Sequence, residues 1–194
     1  MKQICVFGSS SEKIDRVYLN VAEELGKALA EKGFGVIFGA GKYGIMGAVH
    51  RGVRQSNGKL TGVSPDFFVD MNVLVHDYGE LILTETMRER KAVMEDNADA
   101  FIICAGGIGT LEEFFEVVTL KQLGRHSKPI IFLNTNGFYD PMFEMLDKSV
   151  EQRFMSRKVK RLYMIANTID EVIEQLDHYV AFSYNKYGKE ENDG

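Results

Sequence analysis

The segment at residues 105–113, AGGIGTLEE, joins a glycine turn to two glutamates at the predicted start of a helix. Glycines let backbone N–H groups point into a concavity, and the first helical turn adds unpaired donors at the positive end of the helix dipole. Such a turn suits a phosphate group, and a neighbouring carboxylate suits acid–base or charge-stabilising chemistry on the bound molecule. The simpler interpretation is a tight strand-to-helix turn that binds nothing.

Two further loops share this design. Residues 35–47, GVIFGAGKYGIMG, again pass from an apolar strand through glycines to a helix of small residues, and residues 8–11, GSSS, follow a third apolar strand. In an open parallel sheet, the loops at the carboxyl ends of the strands line one crevice. Three such loops predict a nucleotide or a sugar phosphate as the ligand.

Two cations are predicted on the packed side of the helix that precedes the 105–113 segment. Helical spacing places Arg90 and Lys91 beside a narrow apolar stripe, which consists of Met87, Met94 and Ala98. One interpretation is that their stems run along apolar surface to reach solvent. Next to anion-binding loops, the arginine also suits two-pronged contact with a phosphate, and the lysine supplies a compact cation.

The following helix carries the candidate carboxylate. Glu113 shares a stripe with Val117 and Leu120 and is predicted to face inward, whereas Glu112 and Glu116 form a separate row. An acidic first turn also complements the helix dipole without any chemical role. That interpretation suits Glu112 better than Glu113.

The composition predicts one domain. The chain has 194 residues with 45% hydrophobic content, enough for one core, so we expect a single nucleotide-binding domain over residues 1–184. Its charged end, residues 185–194, is expected to be disordered. The 23 basic and 28 acidic residues give a net charge of −5, which argues against a nucleic-acid partner.

Targeting and metal signals are absent from the sequence as given. It contains no signal-peptide pattern and no apolar run of membrane-spanning length, so a cytoplasmic protein without membrane contact is expected. Cys5 and Cys104 fall in predicted buried strands and are expected to be reduced core residues. The four histidines lack the spacing of a zinc site, so no protein-bound metal is expected.

Apolar strands alternate with helical patterns along the chain, which predicts an α/β fold with a doubly wound, mostly parallel, Rossmann-like sheet in three layers. Residues 65–83 show little periodicity and are interpreted as an irregular cover over the site. Strands are predicted at 3–8, 34–38, 59–64, 99–104, 129–133 and 161–165, and helices at 13–32, 44–56, 84–98, 110–123, 139–151 and 169–182.

Two motifs together resemble the paired signature of the LOG (Lonely Guy) family: MRERK at 87–91 and AGGIGTLEE at 105–113. The first two glycine loops and the segment at 116–124 also resemble that family, so the likeness extends over most of the chain. Its members are nucleoside 5′-monophosphate phosphoribohydrolases that activate cytokinins, and they have often been mislabelled lysine decarboxylases. Ala105 stands where the family motif usually has proline, and Ala40 replaces a glycine of the second loop.

The resemblance implies hydrolysis of the N-glycosidic bond of AMP, or of an N6-substituted AMP, to a free base and ribose 5-phosphate. It implies Arg90 and Glu113 as catalytic residues, no metal or redox cofactor in the chemical step, and a homodimer. The methionine stripe of Met87 and Met94 is a second reason to expect a dimer. By the same resemblance, the substrate-binding residues are Ser9, Gly41, Gly44, Met87, Lys91, Gly106, Gly107, Gly109, Thr110 and Thr119.

Three other functions remain open on the sequence. GAGKYG at 39–44 matches GxGxxG and Asp66 follows at a suitable distance, which is typical of an NAD-binding dehydrogenase. Similar folds also serve as non-catalytic carriers of a phosphorylated cofactor, as in the molybdenum-cofactor carriers. A lysine decarboxylase would need a lysine that binds pyridoxal phosphate, and the sequence singles out none.

Overall fold

The computed structural model describes residues 1–77, 79–182 and 184. Its strands form one sheet in the order β4-β3-β2-β1-β5-β6-β7, and each neighbouring pair is parallel. This confirms the predicted α/β class. The strands are β1 Gln3–Phe7, β2 Gly35–Phe38, β3 Leu60–Pro65, β4 Glu80–Thr84, β5 Ala100–Ile103, β6 Ile130–Leu133 and β7 Met164–Ala166.

Helices cover both faces of this sheet, which gives the predicted three layers. The core on one face is built from α1, α2 and α6, and the core on the other from α3, α4 and α5. The helices are α1 Arg16–Glu31, α2 Gly44–Gln55, α3 Met87–Asn97, α4 Ile108–Gln122, α5 Asp140–Glu151 and α6 Ile169–His178. Within the described part of the chain, no helix combines the length and apolarity needed to cross a bilayer.

The stretch predicted as irregular, residues 65–83, is the main correction. It contains a short 3-10 turn, Asp66–Phe68, and most of the edge strand β4. Because an edge strand is only half covered, β4 carries exposed residues such as Glu80 and Leu83 and lacks a continuous buried run. Tyr78, in the same stretch, lies outside the described residues.

Four other boundaries differ from those predicted by three or more residues, and one of them is the start of the first helix, which lies at Arg16 after its N-cap Asp15. The third helix starts at Met87 because Thr86 caps it, its Oγ1 accepting a hydrogen bond from the Glu89 amide at 3.1 Å. The sixth helix ends at His178, since the next residue is extended. The last strand follows a 3-10 turn, Arg157–Arg161, which occupies the start of the predicted strand. The predicted disorder of 185–194 concerns residues outside those described.

The sheet reverses its order at its centre. From β1 the chain adds β2, β3 and β4 on one side, then returns to place β5, β6 and β7 on the other. In such a sheet the crevice opens between the carboxyl ends of the strands that flank the reversal, here β1 and β5. Both cysteines are buried and free, Cys5 in β1 and Cys104 just after β5.

Candidate active site

A cavity of about 360 Å³ lies over the carboxyl ends of β1, β2 and β5. All three glycine loops contribute to its lining, and Arg90 of α3 and Glu113 of α4 complete it. This volume lies in the range of sites that bind small molecules. The loops that the sequence assigned to one crevice therefore do meet at one cavity.

Ser9 ties the three loops together. Its backbone N–H donates a hydrogen bond to the Ala105 carbonyl at 3.1 Å, and its own carbonyl accepts one from the Ile45 amide at 2.8 Å. Its hydroxyl accepts a further bond from the Ser11 amide at 3.0 Å. Gly44, with φ of +60°, lies so close to the Ser9 carbonyl that any side chain would overlap it. Gly44 thus serves loop packing and does not line the cavity.

The start of α4 is open toward the cavity. Its N-cap is Gly107, and no side chain among the described residues caps the helix. Space beside Gly107 and Gly109 is empty, and both line the cavity. The Thr110 side chain also lines it and packs so closely on Gly106 that a Cβ there would overlap. A ligand anion can therefore reach the first-turn N–H groups of α4.

Arg90 and Glu113 form a buried ion pair at the cavity. Arg90 Nη1 donates to Glu113 Oε1 at 2.9 Å, and the two residues are only 7% and 8% exposed. Burial raises the pKa of Glu113, whereas the charge and hydrogen bond of Arg90 oppose the rise. Because Oε1 is occupied by Arg90 and the residue lines the cavity, Oε2 is the oxygen best placed to meet a ligand.

The Arg90 guanidinium is held by backbone as well as by Glu113. Its Nε donates to the Val63 carbonyl, within β3, at 3.1 Å. Gly39, at the end of β2, is required beneath it, because a Cβ at that position would overlap the guanidinium. The Val63 carbonyl therefore holds the arginine and Gly39 leaves room for its guanidinium, a role in the site that differs from phosphate contact.

Lys91 lies outside the cavity, contrary to the placement that the sequence suggested. Its Nζ pairs with the carboxylates of Glu112 and Glu116 on α4, so the lysine links the two helices. Burial alone would lower the pKa of Lys91, but hydrogen bonds to the two glutamates outweigh it and raise the pKa. The row formed by Glu112 and Glu116 thus has a structural partner.

The remaining predicted site residues divide between the cavity and its surroundings. Met87 lines the cavity and is 43% exposed, so it does not belong to the buried stripe of Met94 and Ala98. Gly41 lines a smaller adjoining pocket of about 220 Å³. Thr119 is exposed on α4 and lines neither the cavity nor the smaller pocket.

Sequence reasoning missed several lining residues. Ser10 and Ser11 follow Ser9 in the first loop and could have been included with it. Phe68 comes from residues 65–83, the stretch interpreted from the sequence as a cover over the site, but it was not among the predicted site residues. Met46, on α2, lies between the cavity and the smaller pocket and lines both.

Named plant proteins resemble this chain over most of its length. A family model described as "Possible lysine decarboxylase" matches residues 46–176. Cytokinin riboside 5′-monophosphate phosphoribohydrolase LOG from Oryza sativa subsp. japonica is 39% identical over 179 residues, covering 92% of this chain and 74% of that protein. The corresponding LOG2 protein from Arabidopsis thaliana is 36% identical, with coverages of 92% and 84%. The chain therefore belongs to the LOG family.

Solved structures show the same fold. A molybdenum cofactor binding protein from Rippkaea orientalis superposes with a TM-score of 0.71 at 22% identity, covering 91% of this chain and 95% of that one. The Moco carrier protein of Chlamydomonas reinhardtii superposes with a TM-score of 0.69 at 21% identity, with coverages of 91% and 95%. At these identities the likeness concerns the fold alone.

Proposed function

We propose that this protein hydrolyses the N-glycosidic bond of a nucleoside 5′-monophosphate, AMP or an N6-substituted AMP, to a free base and ribose 5-phosphate. The observation that carries the proposal is the buried Arg90–Glu113 pair in the same cavity as the uncapped start of α4. Relatives named as phosphoribohydrolases, at 36–39% identity over nine-tenths of the chain, support it.

The start of α4 is the proposed phosphate site. The 5′-phosphate accepts hydrogen bonds from first-turn N–H groups and from the Thr110 hydroxyl, where the helix dipole favours negative charge. Glu113 follows one turn later on the same helix. A phosphate bound at the helix start therefore brings the attached ribose toward Glu113.

Glu113 then acts on the sugar. As the C1′–N bond breaks, positive charge develops on the ribose, and the Glu113 carboxylate stabilises it or orients the attacking water. Water adds its oxygen to C1′, and one of its protons completes the departing base. Arg90 holds Glu113 Oε1 at 2.9 Å, which fixes the carboxylate and favours its ionised form.

The decarboxylase description does not fit this cavity. Lysine decarboxylation by pyridoxal phosphate needs a lysine whose amine carries the cofactor. Among the described residues, no lysine lines the cavity. Lys91, in the MRERK motif at 87–91, is paired with two carboxylates on α4.

The dinucleotide alternative also lacks support in the geometry. A Rossmann fingerprint uses the start of its helix to bind a pyrophosphate. Here the Ile45 amide, in the first turn of α2, is bonded to the Ser9 carbonyl, and Gly44 is closed in by the first loop. The guanidinium of Arg90 packs over Gly39, the first glycine of that motif.

A homodimer is the proposed assembly. Met94 is fully buried in the core, so the methionine stripe is not an interface. Exposed apolar side chains away from the cavity instead lie on α4 and α5, among them Phe115 and Met145. Light scattering that gave a monomer at micromolar concentration would refute this proposal.

The deciding experiment compares AMP with adenosine. Purified protein incubated with each is assayed for free adenine by chromatography. We expect release from AMP and little from adenosine, because adenosine lacks the group that the start of α4 binds. Equal turnover of the two would contradict the site assignment, and tight AMP binding without cleavage of any nucleotide would favour a carrier.

A further inference from the structure

Tyr139 lies beneath the third glycine loop, just before α5, and is 2% exposed. Its hydroxyl donates a hydrogen bond to the Cys104 carbonyl at 2.8 Å, where β5 passes into the loop. Burial raises the pKa of Tyr139, and a hydrogen bond with the Gly106 backbone opposes the rise. The hydroxyl therefore holds the loop backbone at the carbonyl that precedes Ala105.

The rest of Tyr139 is fixed independently of the loop. Its backbone N–H donates to Asn134 Oδ1 at 2.8 Å, and Asn134 Nδ2 donates to Asp140 Oδ1 at 2.7 Å. Its ring meets those of Phe132 and Phe138 edge-on, with centroids 4.8 and 4.9 Å away. The hydroxyl is thus a rigid point to which the loop is attached.

The backbone at the start of the third glycine loop needs a contact from outside the loop to hold it in place. Its first residue, Ala105, leaves φ free, whereas the proline usual in this motif would fix it. The Ala105 carbonyl accepts a bond from the Ser9 amide at 3.1 Å, and the preceding carbonyl, of Cys104, accepts the bond from Tyr139. Two successive carbonyls are therefore held from opposite sides.

We propose that Tyr139 is a positioning residue for phosphate binding. By holding the junction between β5 and the loop, it sets the position of Gly107 and of the first-turn N–H groups of α4. It does not line the cavity, so it acts through the loop and not on the ligand. The inference rests on the proposed function for the identity of the ligand.

The test is Tyr139→Phe, which keeps the ring and removes the hydroxyl. Loss of one net hydrogen bond at the loop should weaken phosphate binding by about three- to tenfold. Because the phosphate is held equally in the ground and transition states, KM for AMP should rise by that factor while kcat stays unchanged. The affinity for ribose 5-phosphate, measured by calorimetry, should fall by the same factor.

Tyr163→Phe is the matched control. Tyr163 belongs to the same aromatic cluster, with its ring 5.6 Å from that of Phe132, and its hydroxyl has no hydrogen-bond partner among the described residues. Its loss should leave KM and the affinity for ribose 5-phosphate at wild-type values. Adding Ala105→Pro to Tyr139→Phe should restore affinity, because proline fixes the junction that the hydroxyl held.

Two outcomes would overturn the inference: unchanged ribose 5-phosphate affinity in Tyr139→Phe, whatever its Tm, or no recovery on addition of Ala105→Pro. Both measurements are independent of catalysis. If the wild-type protein binds AMP and cleaves no nucleotide, the proposed hydrolysis fails while the affinity comparison still decides the role of Tyr139. If the protein cleaves AMP and Tyr139→Phe binds ribose 5-phosphate normally, only the role of Tyr139 fails.

Discussion

Glu113→Gln separates binding from chemistry at this site. Glutamine has nearly the shape of glutamate, and its amide oxygen can still accept the bond that Arg90 Nη1 donates at 2.9 Å. The variant therefore removes a negative charge and keeps the packing of a side chain that is 8% exposed. We expect it to fold and to bind AMP with nearly wild-type affinity.

The expected loss of turnover follows from electrostatics. A carboxylate about 4 Å from a developing positive charge contributes about 4 kcal/mol at an effective dielectric constant of 20. The neighbouring Arg90 cation offsets part of this, leaving about 3 kcal/mol, so kcat should fall on the order of 10²-fold. Free adenine is measured by chromatography and AMP affinity by calorimetry.

Glu112→Gln is the matched control, one residue away. Glu112 is exposed and contacts Lys91, outside the cavity. Its substitution removes the same charge from the first part of α4, and kcat should change less than about threefold, as for other surface ion pairs. Glu113→Gln with kcat within threefold of wild type, or a similar loss in both variants, would refute the role assigned to Glu113.

Four further results are expected. Since burial raises the pKa of Glu113 above its ordinary 4.5, the acidic limb of kcat against pH should lie above 4.5, and a limb at or below 4.5 would contradict the raised pKa of Glu113. Gly39→Ala should displace the Arg90 guanidinium from Glu113 and lower kcat without unfolding the protein, and a wild-type kcat would contradict the support of Arg90 by Gly39. Arg153→Gly should raise Tm by about 2–3 °C, because φ of +65° strains any residue with a Cβ, and a lowered Tm in thermal unfolding would count against this. Burial lowers the pKa of Lys121 to about 8, so between pH 8 and 10.5 the folded state binds fewer protons than the unfolded chain. The free energy of unfolding, measured in urea, should therefore rise with pH across this range, and should rise less in Lys121→Met. Equal slopes in the two proteins would refute the lowered pKa of Lys121.

The sequence predicted those parts of the fold that local patterns determine. Buried strands such as β5 read as apolar runs between turns, and the spacing of Glu113, Val117 and Leu120 predicted an inward carboxylate, which the structure buries. The edge strand β4 was not predicted because one side of it meets solvent, so its pattern of apolar and polar residues resembles that of a loop. The spacing of apolar residues along a helix predicts which face is packed, but only where that face is apolar throughout.

The assignment of partners depended on the neighbouring helix and was less predictable. Arg90 and Lys91 are adjacent in sequence and both lie on the packed side of α3, yet one enters the cavity and the other pairs with Glu112 and Glu116. The choice is made by how α3 sits against α4, a long-range relation that no local pattern contains. The support of Arg90 by Gly39 has the same origin, since β2 and α3 are distant in the chain.

The bonds made by Ser9 have a consequence for how the site opens. Its amide is bonded to Ala105, 96 positions later, just beyond the β5 strand that pairs with β1, and its carbonyl is bonded to the start of α2, just beyond the β2 strand that pairs with β1 on the other side. Fluctuations that expose the amides of Ser9 and Ile45 must therefore separate the central strands. In hydrogen exchange the Ser9 loop amide and the first-turn amide of Ile45 should be protected nearly as long as the sheet centre, whereas most loop and helix-start amides exchange early. The cavity is then a part of the cooperative folding unit and not a surface feature added to it.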